Sequence, residues 1–414
     1  MRIKHFLILA AAAGMALSCI ENFEATPTQE REIGFGTWSD VLTKTVADPT
    51  NPRVQGSNVF RQGDGIVVYG SKSISSETPV VFNGVDVVAT AESTGDNPAA
   101  TTWDYNNHRF WDANAESYTF FAVSPKDKLA TTTTTATDGA FTTSSLSFNG
   151  HENDFLVADK TVVNKGTDAP STYFNSYGTV NLMFNHAAAL VDVHVKKAPS
   201  LADATVKVSA ITIDNVKKAG VLTLTSSDYN KTIDTRSTVP NITLAKWAAS
   251  TNGSYYPADG VTPVKGDVNS SNPIGVGNEK TIAADTDFST TNTTANTTPA
   301  ASTILFNNLI VVPQEFVTPS VAEIAEPSTA TTAQKVSISY SITVGDETFN
   351  HTGYLWLSQF DHVDNGTQAA EFVGSWEPGK HYIFYITIDA HAITFSANIS
   401  DWESPVYGYH YLAN

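Results

Sequence analysis

Cys19 is the only cysteine among 414 residues, and its thiol stands where acylation chemistry would use it. Arg2 and Lys4 open the chain, Phe6 to Leu17 follow as an apolar run, and Ala16-Leu17-Ser18-Cys19 closes it. A basic start, a short hydrophobic stretch and small residues before a cut make a secretory signal peptide, and the run is too short to span a bilayer. Its last four residues read as a lipobox, in which Cys19 is acylated and becomes the first residue of the mature protein. Two or three acyl chains on one terminus give stable anchoring to a membrane. Residues 1–19 are therefore expected to be a lipoprotein signal peptide. The folded body then carries no thiol, so packing and backbone ladders must hold it together instead of disulfides.

Other side chains invite chemical readings. His186, Asp192 and His194 share strand parity, and two histidines with one carboxylate could ligate a transition metal. The competing reading, which we adopt, gives His186 a structural hydrogen bond and leaves the other two facing water. Asp361-His362-Val363-Asp364-Asn365-Gly366 lacks the alternating oxygens and closing Glu of a calcium loop and reads as a turn. No phosphate loop, zinc helix or nucleophile elbow occurs in the sequence. Asp401 and Glu403 could be cast as a glycosidase pair, but with 42 acidic residues such pairs arise by chance. Trp103, Tyr105, Phe110 and Trp111 lie beside Asp104, Asn106, Asn107 and His108. Rings with amides could form a sugar platform; alternatively, the rings plug one end of a sandwich. No enzymatic activity, metal or cofactor is expected.

The elements that must position these groups read as strands. Val191, Val193 and Val195 alternate with Asp192, His194 and Lys196, and Val336 to Val344 and Ile393 to Ile399 alternate in the same way. Each reads as a strand with one face on a core and one in water. Tyr382 to Ile388 is apolar on both faces, as in a central strand. In Thr205 to Ile213 the apolar parity switches between Ala210 and Ile211, which predicts a β-bulge there. Helical periodicity is hardly visible. Charged residues make up 16% and the net charge is -18, a balance that opposes binding to nucleic acid or an anionic membrane surface and favours solubility. The expected fold is all-β: two tandem β-sandwich domains of transthyretin-like or Greek-key type, residues 20–178 and 179–414, with Tyr255 to Ser302 a long, partly mobile surface excursion.

Five segments, in this order, resemble the fimbrillins, pilin proteins of Bacteroides-type and Porphyromonas-type bacteria that build type V pili. They are Ile33-Gly34-Phe35 with Thr43-Lys44; Trp111 leading to Tyr118 to Pro125 and Asp154 to Ala158; Val180 to Val195, with its Phe-x-His; Ile211-Thr212-Ile213 with Gly220; and Trp376-Glu377-Pro378-Gly379-Lys380-x-Tyr382 with Ile393 to Trp402. The resemblance implies an outer-membrane lipoprotein whose first strand an Arg-specific protease removes. A neighbouring subunit then fills the vacated groove by strand addition, and repetition builds an adhesive fibre. Carried over, the removable strand spans about Glu32 to Val41 with Ile33 and Phe35 facing the core. The cut falls at Arg53, with Arg61 and Arg31 as alternatives; cleavage at Arg31 would free the lipid without opening the groove. Ile393, Phe395, Ala397 and Ile399 are donor candidates, with the aromatic tail after Pro405, or else they complete the second sandwich. Expected partners are other pilin subunits, the outer membrane through the lipid, and a host or bacterial surface receptor. The rival reading is a surface-anchored glycan-binding lipoprotein.

Overall fold

The computed structural model describes residues 32–37, 60, 62–92, 100–126, 143–149, 154–165, 179–234, 237–255, 280–282, 303–364, 367–390 and 393–401. Cys19, Arg31, Arg53 and Arg61 lie outside them.

The chain enters with a short strand, β1 (Gly34–Thr37), then β2 (Gly65–Ser73), β3 (Val80–Glu92), β4 (Ala100–Tyr105) and β5 (Ser117–Ser124). β6 (Thr143–Asn149), β7 (Leu156–Ala158), β8 (Lys160–Asn164), β9 (Thr179–Leu182) and β10 (Phe184–His186) follow. β2 is paired antiparallel on both edges, to β3 and to β5, and β5 continues to β7 and β8. Neighbouring side chains on a strand point to opposite faces, so the unbroken apolar run in β5 requires a core on each side. Tyr118, Phe120 and Ala122 enter one core with Ile66, Val68 and Phe82. Phe121 and Val123 enter another with Phe155, Leu190, Leu222 and Ile310.

The remaining strands begin with β11 (Ala189–Lys197), β12 (Thr205–Thr225), β13 (Tyr229–Asp234), β14 (Ser237–Pro240) and β15 (Trp247–Tyr255). Next come β16 (Lys280–Ile282), β17 (Thr303–Val311), β18 (Gln314–Glu315), a one-turn helix α1 (Val321–Ala325), β19 (Lys335–Val344) and β20 (Glu347–Trp356). β21 (Asp361–Asp364), β22 (Thr367–Phe372), β23 (Ser375–Trp376), β24 (Lys380–Ile388) and β25 (Ile393–Asp401) complete the set. One six-stranded sheet runs β17-β11-β24-β25-β21-β22; the other runs β15-β12-β19-β20, with β6 and β16 also on β12. Val191, Val193, Phe384 and Ile386 of the first meet Val206, Val208, Val336 and Ile338 of the second in a dry core. The all-β expectation holds, and β24, apolar on both faces, is central, between β11 and β25. The pairing crosses the expected boundary at residue 178: β6 pairs with the end of β12, while β13 and β14 extend the nine-stranded sheet through β8.

Two local expectations need correction. The bulge in β12 falls between Val208 and Ala210, at Ser209 rather than at Ala210/Ile211. Val208 and Ile211 must both face the core (0% and 2% exposed), and the extra residue, Ser209, gives its hydroxyl to the Ser339 carbonyl at 3.2 Å. The polar face of β11 is not in water either, since Asp192 and His194 are 5% and 2% exposed. Of the 255–302 excursion, β16 is laddered to β12 with Ile282 buried.

The segment from Trp376 to Tyr382 shows why its residues are as they are. Trp376 is fully buried, the Glu377 amide donates to the Tyr382 hydroxyl at 2.8 Å, and the Gly379 amide donates to the Ala188 carbonyl at 2.8 Å. Gly379 has φ +68, and a Cβ there would lie 3.3 Å from the His186 carbonyl oxygen. An L-residue in that left-handed conformation costs about 1–2 kcal/mol. Gly379→Ala is therefore expected to lower unfolding free energy by about 1–2 kcal/mol in chemical denaturation, and an unchanged midpoint would contradict this account of the turn.

Candidate functional site

Glycine flanks Phe35 on both sides in β1 and Ile33 stands just ahead of the strand, so the segment is a thin ribbon carrying two large side chains, Ile33 and Phe35. They are 0% and 5% exposed. Phe35 meets Phe82, Tyr105 and Phe120 edge-on, with ring centroids 5.2, 5.8 and 5.8 Å away. Edge-to-face packing of this kind adds to simple area burial. The Tyr105 hydroxyl donates to the Ile33 carbonyl at 2.7 Å and accepts from the Arg109 amide at 3.1 Å. The Ile33 amide in turn donates to the Arg109 carbonyl at 2.8 Å. Burial pushes the Tyr105 hydroxyl above its ordinary range, partly offset by its bond to the Arg109 backbone. It stays a protonated donor at any physiological pH. Glu32, ahead of Ile33, contacts the His108 imidazole.

The backbone holds β1 much less firmly. Its ladder is a parallel one to β9, Gly34 against Thr179 through Thr37 against Leu182, in a two-stranded sheet. Among the described strands no second ladder occupies its other edge, whereas β2 is bonded on both. A four-residue strand with one ladder, and with only the Glu32–Phe110 bridge and the Ile33 amide bond just ahead of it on the other side, owes much of its seat to side chains. Burying Ile33 and Phe35 contributes roughly 3–6 kcal/mol together. The seat they fill, lined by Phe82, Tyr105, Phe120, Val180 and Leu182, would expose apolar surface if emptied. Phe60 lies against Trp103 and Phe184, with centroids 5.3 and 5.1 Å away.

The other candidates disperse. Ile393 to Asp401 forms β25, paired residue for residue with β24 and also joined to β21. The strand therefore completes the sandwich, with Ile393 and Ile399 packed on the core. His186, Asp192 and His194 do not converge. His186 lies 2.6 Å from Asp154, Asp192 lies 2.8 Å from His381, and burial pushes His194 down to about 4, leaving it uncharged at neutral pH. Of the aromatic group, Tyr105 and Trp111 are core residues, Trp103 is half-buried and Phe110 is exposed, so only part of the group plugs the first core. The Tyr105 and Glu32 clasp on β1 was missed by reasoning from sequence, because nothing local marks those side chains as partners of residues so distant in the chain.

The family whose model matches residues 52–402 is described as fimbrillin-like; the match does not extend to β1. A fimbrial protein from Bacteroides vulgatus is 15% identical, the alignment covering 90% of this chain and 99% of that one, with a TM-score of 0.44. The tip fimbrial protein Mfa3 from Porphyromonas gingivalis, with a C-terminal truncation, is 9% identical over 84% of this chain and 97% of its own, with a TM-score of 0.31. No curated protein matches.

Phe35→Ala is expected to destabilise the chain by about 3–5 kcal/mol, the range for deleting a buried phenylalanine, and to raise amide exchange at residues 33–37. Val321→Ala, at an 85% exposed position, is expected to change stability by less than about 0.5 kcal/mol. Equal effects from the two substitutions would contradict a filled seat.

Proposed function

This chain belongs to the fimbrillin-like family, and we propose that it is a structural or accessory subunit of a cell-surface fimbria that serves adhesion. In this reading it is exported as a lipoprotein acylated at Cys19, held at the outer membrane, and assembled with other subunits once β1 has been removed. The observation that carries the proposal is the mismatch in how β1 is held: two buried apolar anchors, yet one short parallel ladder. Cutting the connection to Phe60 leaves the strand bound by those contacts, by the hydrogen bonds of Ile33 to Tyr105 and Arg109, and by the Glu32–Phe110 bridge. An emptied seat is an unsatisfied apolar groove beside the open edge of β9, and an extended segment of another subunit supplies the same two things, side chains and main-chain bonds.

Arg53 is the proposed cut, with Arg61 next; Arg31 precedes β1 and would release only the anchor. The donor is assigned to the C-terminal region. Withdrawing β25 would break its full ladder to β24, so donation by the segment after Asp401 costs less than donation by Ile393, Phe395, Ala397 and Ile399. The role is structural and involves no catalysis. The rival glycan-binding reading has weaker support, because two of its four rings, Tyr105 and Trp111, are buried in the first core.

Low-dose trypsin on the purified precursor is expected to cut early near Arg53, leave a stable core and produce ladders that resist SDS. Arg53→Ala is expected to slow that cut. A trimmed core that stays monomeric under all conditions would overturn the assembly reading. Separately, labelled fatty acid is expected in the exported protein and absent from Cys19→Ala; label in the variant would remove the anchor.

A further inference from the structure

We propose that Glu32, Asp104 and His108 form a divalent-cation site, best suited to Zn2+, that is complete only while the N-terminal strand is seated. One potential ligand atom from each residue lies within 4.8 Å of the other two. The His108 nitrogens face opposite ways, Nδ1 toward Glu32 and Nε2 toward Asp104 Oδ1 at 3.5 Å. An ion takes Nε2 beside Asp104 Oδ1, and the Glu32 carboxylate turns to meet it. The Glu32 side chain is 42% exposed, so that turn is unhindered by packing. The imidazole is steadier, because it stacks on the Tyr105 ring at 5.2 Å and 27°. The Tyr105 amide donates to Asp104 Oδ1 at 2.8 Å, orienting the carboxylate. Arg109, the adjacent cation, is engaged elsewhere: its Nε donates to the Val81 carbonyl at 3.2 Å and its guanidinium lies over Phe82.

One imidazole with two carboxylates and open positions for water suits Zn2+ or Mn2+, whereas Ca2+ selects all-oxygen shells. The net charge of -18 raises the local cation concentration. Glu32 is joined to β1, while Asp104 and His108 belong to β4 and the turn after it. A ligand that binds only the seated arrangement stabilises that arrangement, so the ion acts as a staple on β1. Ion binding stands independently of the fimbrial reading; only the biological use of the staple rests on it.

The test titrates Zn2+ calorimetrically into the full chain, Glu32→Gln and His108→Ala, with His351→Ala as a control for other histidines and Ca2+ as a control ion. Amide exchange of residues 33–37 is followed with and without Zn2+. The expected result is one Zn2+ equivalent lost in each of the first two variants and kept in the third, with exchange slowed several-fold by Zn2+ only where that equivalent binds. Asp104→Asn, altered at a solvent-facing position, serves as a second variant if either substitution prevents folding. Unchanged stoichiometry in His108→Ala, Ca2+ binding equal to Zn2+, or exchange indifferent to Zn2+ would overturn the proposal. Exchange reads strand seating without protease or polymer, so a trimmed chain that fails to assemble removes the fimbrial reading and leaves this site standing.

Discussion

The seating of Ile33 and Phe35 is the contact on which the functional account depends. Side chains fix this strand more firmly than its backbone does, the reverse of a sheet-interior strand such as β2. That inversion matters because the two forms of cohesion fail differently. A strand laddered on both edges leaves only when the sheet unfolds. In the proposed reading, a ribbon held by two apolar anchors, one short ladder and the hydrogen bonds of Ile33 leaves by itself once its covalent tether is cut. The approximate burial energy of the anchors is of the same order as the whole stability of a typical domain. The intact chain therefore stays closed, and an emptied seat has a strong tendency to refill.

The rest of the molecule is built so that this loss can be local. Phe120 and Ala122 face the seat while Phe121 and Val123 face the second core, so β5 stays fixed from its other side if the seat empties. β12 ties the halves together more widely. It ladders with β19, then β15, then β6, and its close approach to the opposite sheet is set by Gly220, where a Cβ would lie 2.8 Å from Val312 Cγ1. A junction of Phe155, Leu222, Trp247 and Ile310 in the second core packs the frame on the side away from β1.

Much of the frame could be read from residue order, because alternation reports which way a side chain points. The all-β class follows from it, and the central position of Tyr382 to Ile388 follows from its absence there, whereas the inward Ile33 and Phe35 were expected only from the family resemblance. Alternation does not report what lies opposite. Asp192 and His194 carry polar signals, yet they are buried, because the outer face of β11 is covered as well as the inner one. β13 and β14 cross to β8, a pairing set by long-range register that no local pattern encodes. The clasp on β1 joins Ile33 to Tyr105 across 72 positions, and Tyr105 read most simply as one member of an aromatic cluster. Ser209 shows the limit at fine scale: the parity change was visible, but which residue would be extruded depended on the partner strand.

The central claim, that an occupied seat prevents association and a vacant one drives it, is tested most directly by competition. A specific protease site placed between Thr37 and Phe60 allows the strand to be cut loose at a known point. A synthetic peptide spanning residues 32–37 is then added in excess while sedimentation follows the size of the particles. The account predicts that the cut chain grows into large assemblies and that the peptide holds it monomeric. Assembly indifferent to the peptide, or a cut chain that remains a monomer without it, would contradict the account.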